Sequence, residues 1–226
     1  MPDIGPFLVS ARSFDEYRAM FALTDADLTG RVLDCPGGAA AFVAGAGERG
    51  IDAVAVDPVY AGDRSGLGEQ AVADAGRGNR FMLDHAHRFV WTWFRDPDDH
   101  RRRREEAATA FAADLRARPE RYVAGALPAL PFPDRAFDLV LSSHLLFTYG
   151  ERFDDEFHLA ALCELVRVSR VEVRLFPLLG HVDGEPHPGL DALLGRLAER
   201  GIRSDVRRVE YEFQRGGDEM LVLTRP

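Results

Sequence analysis

The sequence contains no lysine, since all 28 of its basic residues are arginine. That bias is typical of a GC-rich genome, and no mechanism follows from it. Cysteine is scarce as well: Cys35 and Cys163 stand far apart, and neither has histidine at metal-ligand spacing. A disulfide framework and a zinc site are therefore not expected. A reducing cytoplasm suits such a chain.

The sequence also lacks long apolar runs and a surplus of positive charge. No stretch approaches the roughly 18 apolar residues of a membrane span, and the N-terminus has no basic region followed by an apolar one. The formal net charge of -9 argues against nucleic acid as the main partner, because such binding needs basic surface. We expect a soluble cytoplasmic protein that acts on a small molecule; the sequence carries no indication of its oligomeric state.

The first 60 residues alternate in a way that is typical of parallel strands. One short apolar run ends in Asp34 and a Pro-Gly-Gly break, a helix of small residues follows, and a second apolar run ends in Asp57. The spacing provides the crossover that parallel strands need, so β-loop-α-β is predicted here. An amphipathic helix over 13–28 is predicted before it, with Ser13 as its N-cap and Glu16 three residues later.

A helical insertion is predicted over residues 66–118, because no strand pattern interrupts that stretch. Its run of Arg101 to Arg104 is followed by two glutamates, which is typical of a solvated helix face with partly paired charges. The insertion also carries an aromatic cluster that forms either core beneath it or a lid over a substrate. The members of this cluster are Phe89, Trp91, Trp93 and Phe94.

The remainder of the chain supplies further strands and helices. Apolar runs RYVAGAL, FDLVLSSHLLF and RVEVRLFPLL predict three strands, and VRRVEYEF and EMLVLTR predict a closing hairpin joined through residues 215–218. The expected fold class is α/β: a Rossmann-like, doubly wound, mostly parallel seven-stranded sheet with a C-terminal antiparallel hairpin. At 226 residues and 46% hydrophobic content, one domain over 1–226 suffices.

In an open parallel sheet, ligands bind beyond the carboxyl ends of the strands where connections leave in opposite directions. Asp34 with Gly37 and Gly38 lies in one such loop, and Asp57 lies in the next. Glycines let a ligand approach the backbone, and a carboxylate after the second strand can accept both hydroxyl hydrogens of a ribose. A ligand site between these two loops is therefore predicted.

These residues resemble the class I methyltransferases that depend on S-adenosylmethionine (SAM). VLDCPGG resembles the first motif of that family, VAVDP the acid-bearing end of its second strand, and LPFPDRAFDLVLSSHLLF the region of its fourth strand. The resemblance implies a SAM cofactor, with Asp34 at the methionine amino group and Asp57 at the ribose. It places these further residues beside the cofactor: Cys35, Pro36, Gly37, Gly38, Pro58, Ser142 and Ser143.

Methyl transfer needs alignment and exclusion of water more than it needs a triad, because the sulfonium is already an activated electrophile. Where the acceptor carries a proton, histidine is the natural base near neutral pH. His144 follows the fourth strand where the substrate is expected, so it is the candidate catalytic residue; a ring bonded only to backbone is the alternative. His85 and His87 lack a third ligand, and no metal is expected.

Two alternatives to an active methyltransferase stay open. Pro36 and Ala40 replace glycines of the usual D-x-G-x-G-x-G motif, and Ala126 stands where an acid often meets the adenine. These departures suit a SAM-binding protein without turnover. A nicotinamide-dependent oxidoreductase could use the same acid spacing, although the G-x-G-x-x-G run that binds pyrophosphate is absent.

Overall fold

The computed structural model describes residues 7–181 and 184–225. These residues form one seven-stranded sheet surrounded by helices. The strands are β1 (Val32–Asp34), β2 (Ala53–Val56), β3 (Tyr122–Val123), β4 (Phe137–Ser143), β5 (Ser169–Phe176), β6 (Arg203–Arg208) and β7 (Glu219–Thr224). The α-helices are α1 (Phe14–Met20), α2 (Phe42–Glu48), α3 (Leu67–Asp84), α4 (Pro97–Ala117), α5 (Asp155–Val168) and α6 (Leu190–Ala198).

The strand order across the sheet is β3-β2-β1-β4-β5-β7-β6. Pairing is parallel from β3 through to β5, and β7 pairs antiparallel with both β5 and β6. The predicted Rossmann-like, mostly parallel sheet with an antiparallel C-terminal hairpin is therefore confirmed.

The central strands are buried on both faces, and alternate residues enter two separate cores. Val32 and Leu139 face a core that also contains α1, α2 and parts of the insertion. Leu33 and Val140 face a second core with α5 and α6. This alternation follows from the period of two along a strand, and it explains why the central strands read as continuous apolar runs.

Three helices begin at side chains that accept a backbone N–H, as the sequence favours. Ser13 Oγ accepts from Glu16 N at 3.1 Å, Asp96 Oδ1 from Asp99 N at 2.8 Å, and Asp154 Oδ1 from Phe157 N at 2.8 Å. Each bond satisfies a donor that the first helical turn would otherwise leave unpaired. The predicted N-cap at Ser13 is confirmed.

The predicted leading helix over 13–28 is too long. α1 ends at Met20, Ala22 has a left-handed φ of 47°, and a separate 3-10 turn covers Ala26–Leu28. Thr24 and Asp27 stabilise the break, because Asp27 Oδ2 accepts from both the backbone N–H and the hydroxyl of Thr24 at 2.7 Å. These local side-chain bonds compete with helix continuation.

The predicted position of the first hairpin strand is also wrong. The strand was expected over 206–213 with a connection at 215–218, whereas β6 ends at Arg208 and the connection runs over 209–218. Tyr211 leaves the strand pattern because its ring is buried, at 3% exposed, and its hydroxyl donates to Glu16 Oε1 at 2.7 Å. Tertiary burial therefore overrides the strand propensity of this stretch.

The insertion is helical as predicted, but Arg104 does not lie on a solvated face. Arg104 is 6% exposed, and its two terminal nitrogens donate to the two carboxylate oxygens of Glu16 at 2.5 and 2.7 Å. Arg101 does conform to the prediction, with surface ion pairs to Asp98 and Glu105. The Arg104–Glu16 pair joins α4 to α1.

Within residues 7–181 and 184–225, no helix is both long enough and apolar enough to cross a membrane. Cys35 and Cys163 are free thiols.

Replacing Arg104 with alanine should lower the free energy of unfolding by about 3–5 kcal/mol, because the Glu16 carboxylate would be left buried without its partner. Arg101→Ala on the same helix is the matched control and should cost less than about 1 kcal/mol, since its ion pairs are at the surface. Urea denaturation measures both. Equal costs would contradict a stabilising role for the buried pair.

Candidate functional site

The sheet reverses its direction of growth at β1, which pairs in parallel with β2 on one side and β4 on the other. The connections that follow β1 and β4 therefore leave in opposite directions and open a crevice at the carboxyl ends of the strands. Asp34, Asp57 and Ser143 all stand at this edge.

The glycine loop after β1 is bonded directly to the end of β2. Gly37 N donates to Val56 O at 3.0 Å, and Gly38 N donates to Asp57 Oδ2 at 2.8 Å. Gly38 has a φ of 49°, a conformation that glycine adopts without steric cost. A side chain at Gly37 would meet the Cβ of Ala55 at 2.6 Å. Gly37 thus permits close packing, and Gly38 shapes the edge of the crevice.

Asp57 accepts hydrogen bonds from two backbone N–H groups, one in the glycine loop and one two residues after Asp57 itself. Its Oδ1 accepts from Val59 N at 2.9 Å, while Oδ2 takes the bond from Gly38. Burial raises the pKa of Asp57, and these two hydrogen bonds oppose the rise. Each carboxylate oxygen keeps a further acceptor site.

Asp34 lies deeper than the sequence suggests. It is 0% exposed, and the hydroxyl of Tyr17 donates to its two oxygens at 3.0 and 3.2 Å. Burial raises the pKa of Asp34 well above its usual range, with a further rise from the charge of Asp57. Tyr17, rather than Asp34, borders the open space.

A cavity of about 360 Å³, called here the first cavity, fills the crevice. This volume lies within the range of roughly 300–1,000 Å³ that is usual for small-molecule sites. The structure brings most of the predicted residues to its walls, whereas Asp34, Gly37 and Ser142 lie behind them. The predicted residues on the walls are Cys35, Pro36, Gly38, Asp57, Pro58, Ser143 and His144. Ala126, at the position where an acid is often found, also borders the cavity.

An N-terminal segment that the sequence analysis did not assign to the site lines the first cavity. The segment covers residues 7–12 and is fixed to the glycine loop, with Ala39 N donating to Ser10 O at 3.3 Å and Ala41 N to Arg12 O at 2.8 Å. Val9 N donates to the Asp74 carboxylate of α3 at 2.9 Å. The apolar residues before the Ser13 cap were the available signal for a packed segment.

A second cavity of about 160 Å³ adjoins the first. Five residues border both cavities: Leu8, Ser10, Arg12, His144 and Tyr149. The helical insertion, the end of β5 and the β6–β7 connection complete its walls. Phe89 and Phe213 contribute rings from two of these elements, 5.0 Å apart between centroids. Phe94 is buried at 1% exposed, so the aromatic cluster contributes both to the core and to a cavity wall.

His144 stands at the junction of the two cavities. Its φ is 52°, a strained conformation for a residue with a side chain, and its Nδ1 lies 2.8 Å from Ser143 Oγ. Burial, followed by the positive charges of Arg12 and Arg104, lowers the pKa of His144 well below its ordinary value. The ring is therefore neutral near pH 7.

No group of three or more histidine, cysteine or acidic side chains in 7–181 and 184–225 could hold an ion. His85 points its Nδ1 at Phe81 O, 2.8 Å away.

A comparison with known protein families supports the predicted resemblance to methyltransferases. The family model described as a methyltransferase domain matches residues 88–176, about two fifths of the chain. The resemblance to methyltransferases is confirmed. The matched stretch runs from the insertion through β4 to the end of β5.

One curated relative extends along nearly the whole chain. It is an uncharacterized protein of Methanocaldococcus jannaschii that is 29% identical over 219 residues, covering 95% of this chain and 94% of its own.

Solved structures of low sequence identity also match most of the chain. One is a TehB-like SAM-dependent methyltransferase from Corynebacterium glutamicum, with 16% identity, coverage of 93% of this chain and 87% of its own, and a TM-score of 0.48. Another is the magnesium protoporphyrin IX methyltransferase of Synechocystis with bound S-adenosylhomocysteine (SAH), with 13% identity, coverage of 94% and 82%, and a TM-score of 0.48.

Asp34→Asn should stabilise the unliganded protein, and the gain should grow with pH. Because folding raises the pKa of Asp34, the stability that its protonated form contributes is fully present below about pH 4 and is lost as the pH rises towards the raised value. Asparagine keeps an acceptor for Tyr17 and carries no charge. Urea denaturation from pH 4 to pH 8 measures the difference from wild type.

The control for this experiment is Asp84→Asn at the exposed end of α3, which should change stability by less than about 0.5 kcal/mol. A gain in the free energy of unfolding from Asp34→Asn that does not change with pH would contradict a raised pKa for the buried Asp34 carboxyl.

Proposed function

We propose that this protein binds SAM in the first cavity and transfers its methyl group to an O, N or C atom of a small molecule in the second cavity. The observation that carries this proposal is the junction: two cavities of unequal size meet at His144, and the bonded pair of Asp57 and Gly38 lines the larger one. A cofactor and an acceptor that react directly need such adjacent sites. The single SAM-binding domain over 1–226 and the cytoplasmic location remain predictions.

The residues around the first cavity fit an adenosyl group. The Asp57 carboxylate would accept the ribose hydroxyls through its free acceptor sites, because the bonds from Gly38 and Val59 already fix its orientation. Leu127, Leu145 and Phe153 supply apolar surface for a purine ring. Backbone exposed at Gly38 allows close approach of the ligand.

Arg12 fits the carboxylate of the methionine part. It borders both cavities, and its Nε makes no hydrogen bond within residues 7–181 and 184–225, with Glu16 Oε1 at 3.7 Å. Burial, followed by the charge of Arg104, lowers the pKa of Arg12. A bound anion would compensate the desolvated guanidinium.

Bound SAM would supply a methyl group already activated by its sulfonium. The protein then needs to align the acceptor and exclude water, and alignment alone accounts for about 7–11 kcal/mol in favourable cases. The 7–12 segment would serve the second need, because it lines the first cavity and is bonded to the glycine loop. The neutral His144 ring would face the reacting atoms and orient the acceptor by hydrogen bonding.

Binding and turnover experiments distinguish methyl transfer from two other functions. A SAM-binding protein without turnover would bind the cofactor and release no SAH with any acceptor. A nicotinamide-dependent oxidoreductase would bind NADH or NADPH instead.

SAM and SAH should raise the melting temperature, whereas NADH and NADPH should not. A ligand at 100 times its dissociation constant adds about 2.7 kcal/mol to the stability of the folded state. Differential scanning fluorimetry measures the shift. Absence of any shift with both adenosyl compounds would remove the proposal and its non-catalytic variant together.

Asp57→Ala should weaken SAH binding by about 100-fold, since each lost hydrogen bond to a charged group costs about 1.5–3 kcal/mol. Asp63→Ala is the matched control, because that exposed carboxylate accepts its hydrogen bonds from Ser65 in its own turn. Isothermal titration calorimetry compares the variants, with circular dichroism to verify folding. Unchanged affinity in a folded Asp57→Ala protein would show that the ribose lies elsewhere.

A further inference from the structure

The second cavity carries a surplus of positive charge, in a chain whose formal net charge is -9. Three arginines border this cavity: Arg12, Arg88 and Arg104. Among the described residues of its walls, Asp74 is the one acidic side chain. The local charge is therefore opposite in sign to that of the protein as a whole.

Two of these four charges are compensated by side chains outside the walls of the cavity. Arg104 forms the buried ion pair with Glu16. Asp74 Oδ1 accepts from Arg77 Nε at 3.1 Å and from Arg77 Nη2 at 2.8 Å. Asp74 therefore does not compensate the arginines of the cavity, and Arg12 is already proposed for the carboxylate of the methionine part.

The positive charge also acts on two histidines of the walls. Burial, followed by the charges of Arg104 and Arg12, lowers the pKa of His100 to about 2. The same two arginines, after burial, contribute to the lowered pKa of His144. Surroundings that oppose protonation of two histidines favour a negatively charged ligand.

Arg88 is the arginine of the cavity that has no partner of opposite charge among the described residues. It is half-buried, and its Nη1 donates to His181 O at 3.4 Å. Within residues 7–181 and 184–225 it forms no ion pair. A guanidinium has five N–H donors, so the bond to one carbonyl oxygen leaves donors for a carboxylate, which a guanidinium can bind through two parallel hydrogen bonds.

The backbone of Arg88 is held in place on both sides. Its N–H donates to His85 O at 2.9 Å, and its carbonyl oxygen accepts from Arg215 N at 2.7 Å. Val90 N donates to Phe213 O at 2.8 Å. These bonds join the insertion to the β6–β7 connection and position Arg88 before a ligand binds, which reduces the entropy lost on binding.

The remaining walls limit the ligand to a small and largely apolar body. The cavity has a volume of about 160 Å³, and an apolar cavity of about 150 Å³ holds one benzene molecule. One ring with a single charged substituent therefore suits this space. The aromatic residues that border it are Phe81, Phe89, Phe176 and Phe213.

We propose that the acceptor is a monocarboxylate with a small apolar body, and that Arg88 binds its carboxylate. This assignment rests on the proposed methyl transfer, which it deepens by naming the substrate class and a residue that determines specificity. Arg88 borders the second cavity and not the first, so it lies outside the border that the two cavities share. The carboxylate thus anchors the acceptor, and a different atom of the acceptor takes the methyl group.

A carboxylate suits this cavity better than a phosphate does. One guanidinium without an ion pair compensates one negative charge, whereas a phosphate monoester carries about -1.5 to -2 charges at pH 7. The excess charge would lie uncompensated against phenylalanine side chains, which is unfavourable. The cavity should therefore prefer the carboxylate of a given ring to its phosphate ester.

The binding test titrates 4-fluorobenzoate into the SAH-loaded protein and follows the fluorine NMR signal of the probe. Wild type should bind this anion at least about tenfold more tightly than the neutral 4-fluorobenzamide, because hydrogen bonds between two charged groups are roughly twice as strong as neutral ones. It should bind 4-fluorophenyl phosphate no more tightly than 4-fluorobenzoate.

Two variants of Arg88 and one control separate its role from a general effect of charge. Arg88→Gln should lose the preference for the benzoate over the benzamide and keep the affinity for SAH. Arg88→Lys retains the charge without the planar fork and should keep part of the preference. Arg80→Gln removes the same charge from an exposed position of α3 and should behave as wild type.

The activity test measures SAH release with aromatic acids that carry a hydroxyl or amino group, and with the matching amides. Arg88→Gln should raise KM for the acids by about tenfold or more with a smaller effect on kcat, because an anchor binds the ground state and the transition state alike. Mass spectrometry should show a methylated product that keeps its free carboxylate.

Four results would overturn the inference: equal binding of benzoate and benzamide by wild type, an unchanged preference in Arg88→Gln, tighter binding of the phosphate ester than of the benzoate, or a methyl ester as the product. Absence of SAH binding by wild type would instead overturn the proposed function itself.

Discussion

The parallel pairing of β1 with both β2 and β4 is the constraint on which the rest of this structure depends. Since connections leave β1 and β4 in opposite directions, the sheet opens a crevice at their carboxyl ends. The bond from Gly38 N to Asp57 Oδ2 then holds the two loops at a fixed separation. Asp57 and Gly38, which we propose to contact the cofactor, lie at that edge.

The two arginines near Glu16 differ in how their charge is compensated. Glu16 is neutralised by Arg104 and also accepts from Tyr211, so these three residues tie α1, α4 and the β6–β7 connection together. Arg12, close to the same carboxylate, lacks a comparable partner at its Nε within the described residues. Arg104 joins the walls, and Arg12 is the residue that we propose for the carboxylate of the methionine part.

The two cavities differ in chemistry as well as in size. The first has a carboxylate at a glycine-shaped edge and apolar walls beyond it, an arrangement that suits an adenosyl group. The second combines phenylalanine rings with arginine and histidine side chains. Their shared border at His144 and Tyr149 is what links binding to the proposed reaction.

The sequence by itself determined the parallel part of the sheet, because apolar runs that end in an acid or a glycine break mark buried parallel strands without any knowledge of their neighbours. It also placed Asp57, Gly38 and His144 near one another, since the order of elements puts the ends of β1, β2 and β4 at one edge, and all three line the first cavity. Local sequence signals were therefore sufficient for residues at the carboxyl ends of the parallel strands, because the topology of the sheet fixes where those ends lie.

Only the tertiary structure decided which side chains face the open space. Asp34 lies behind Tyr17, which donates to its carboxylate. Arg104, predicted at the surface, is buried in an ion pair with Glu16. Tyr211, predicted in a strand, instead donates to Glu16 from the β6–β7 connection. The tertiary structure also placed His181 at the second cavity. Each of these outcomes depends on contacts between residues distant in the chain, whose burial and pairing outweigh the local pattern that the sequence displays.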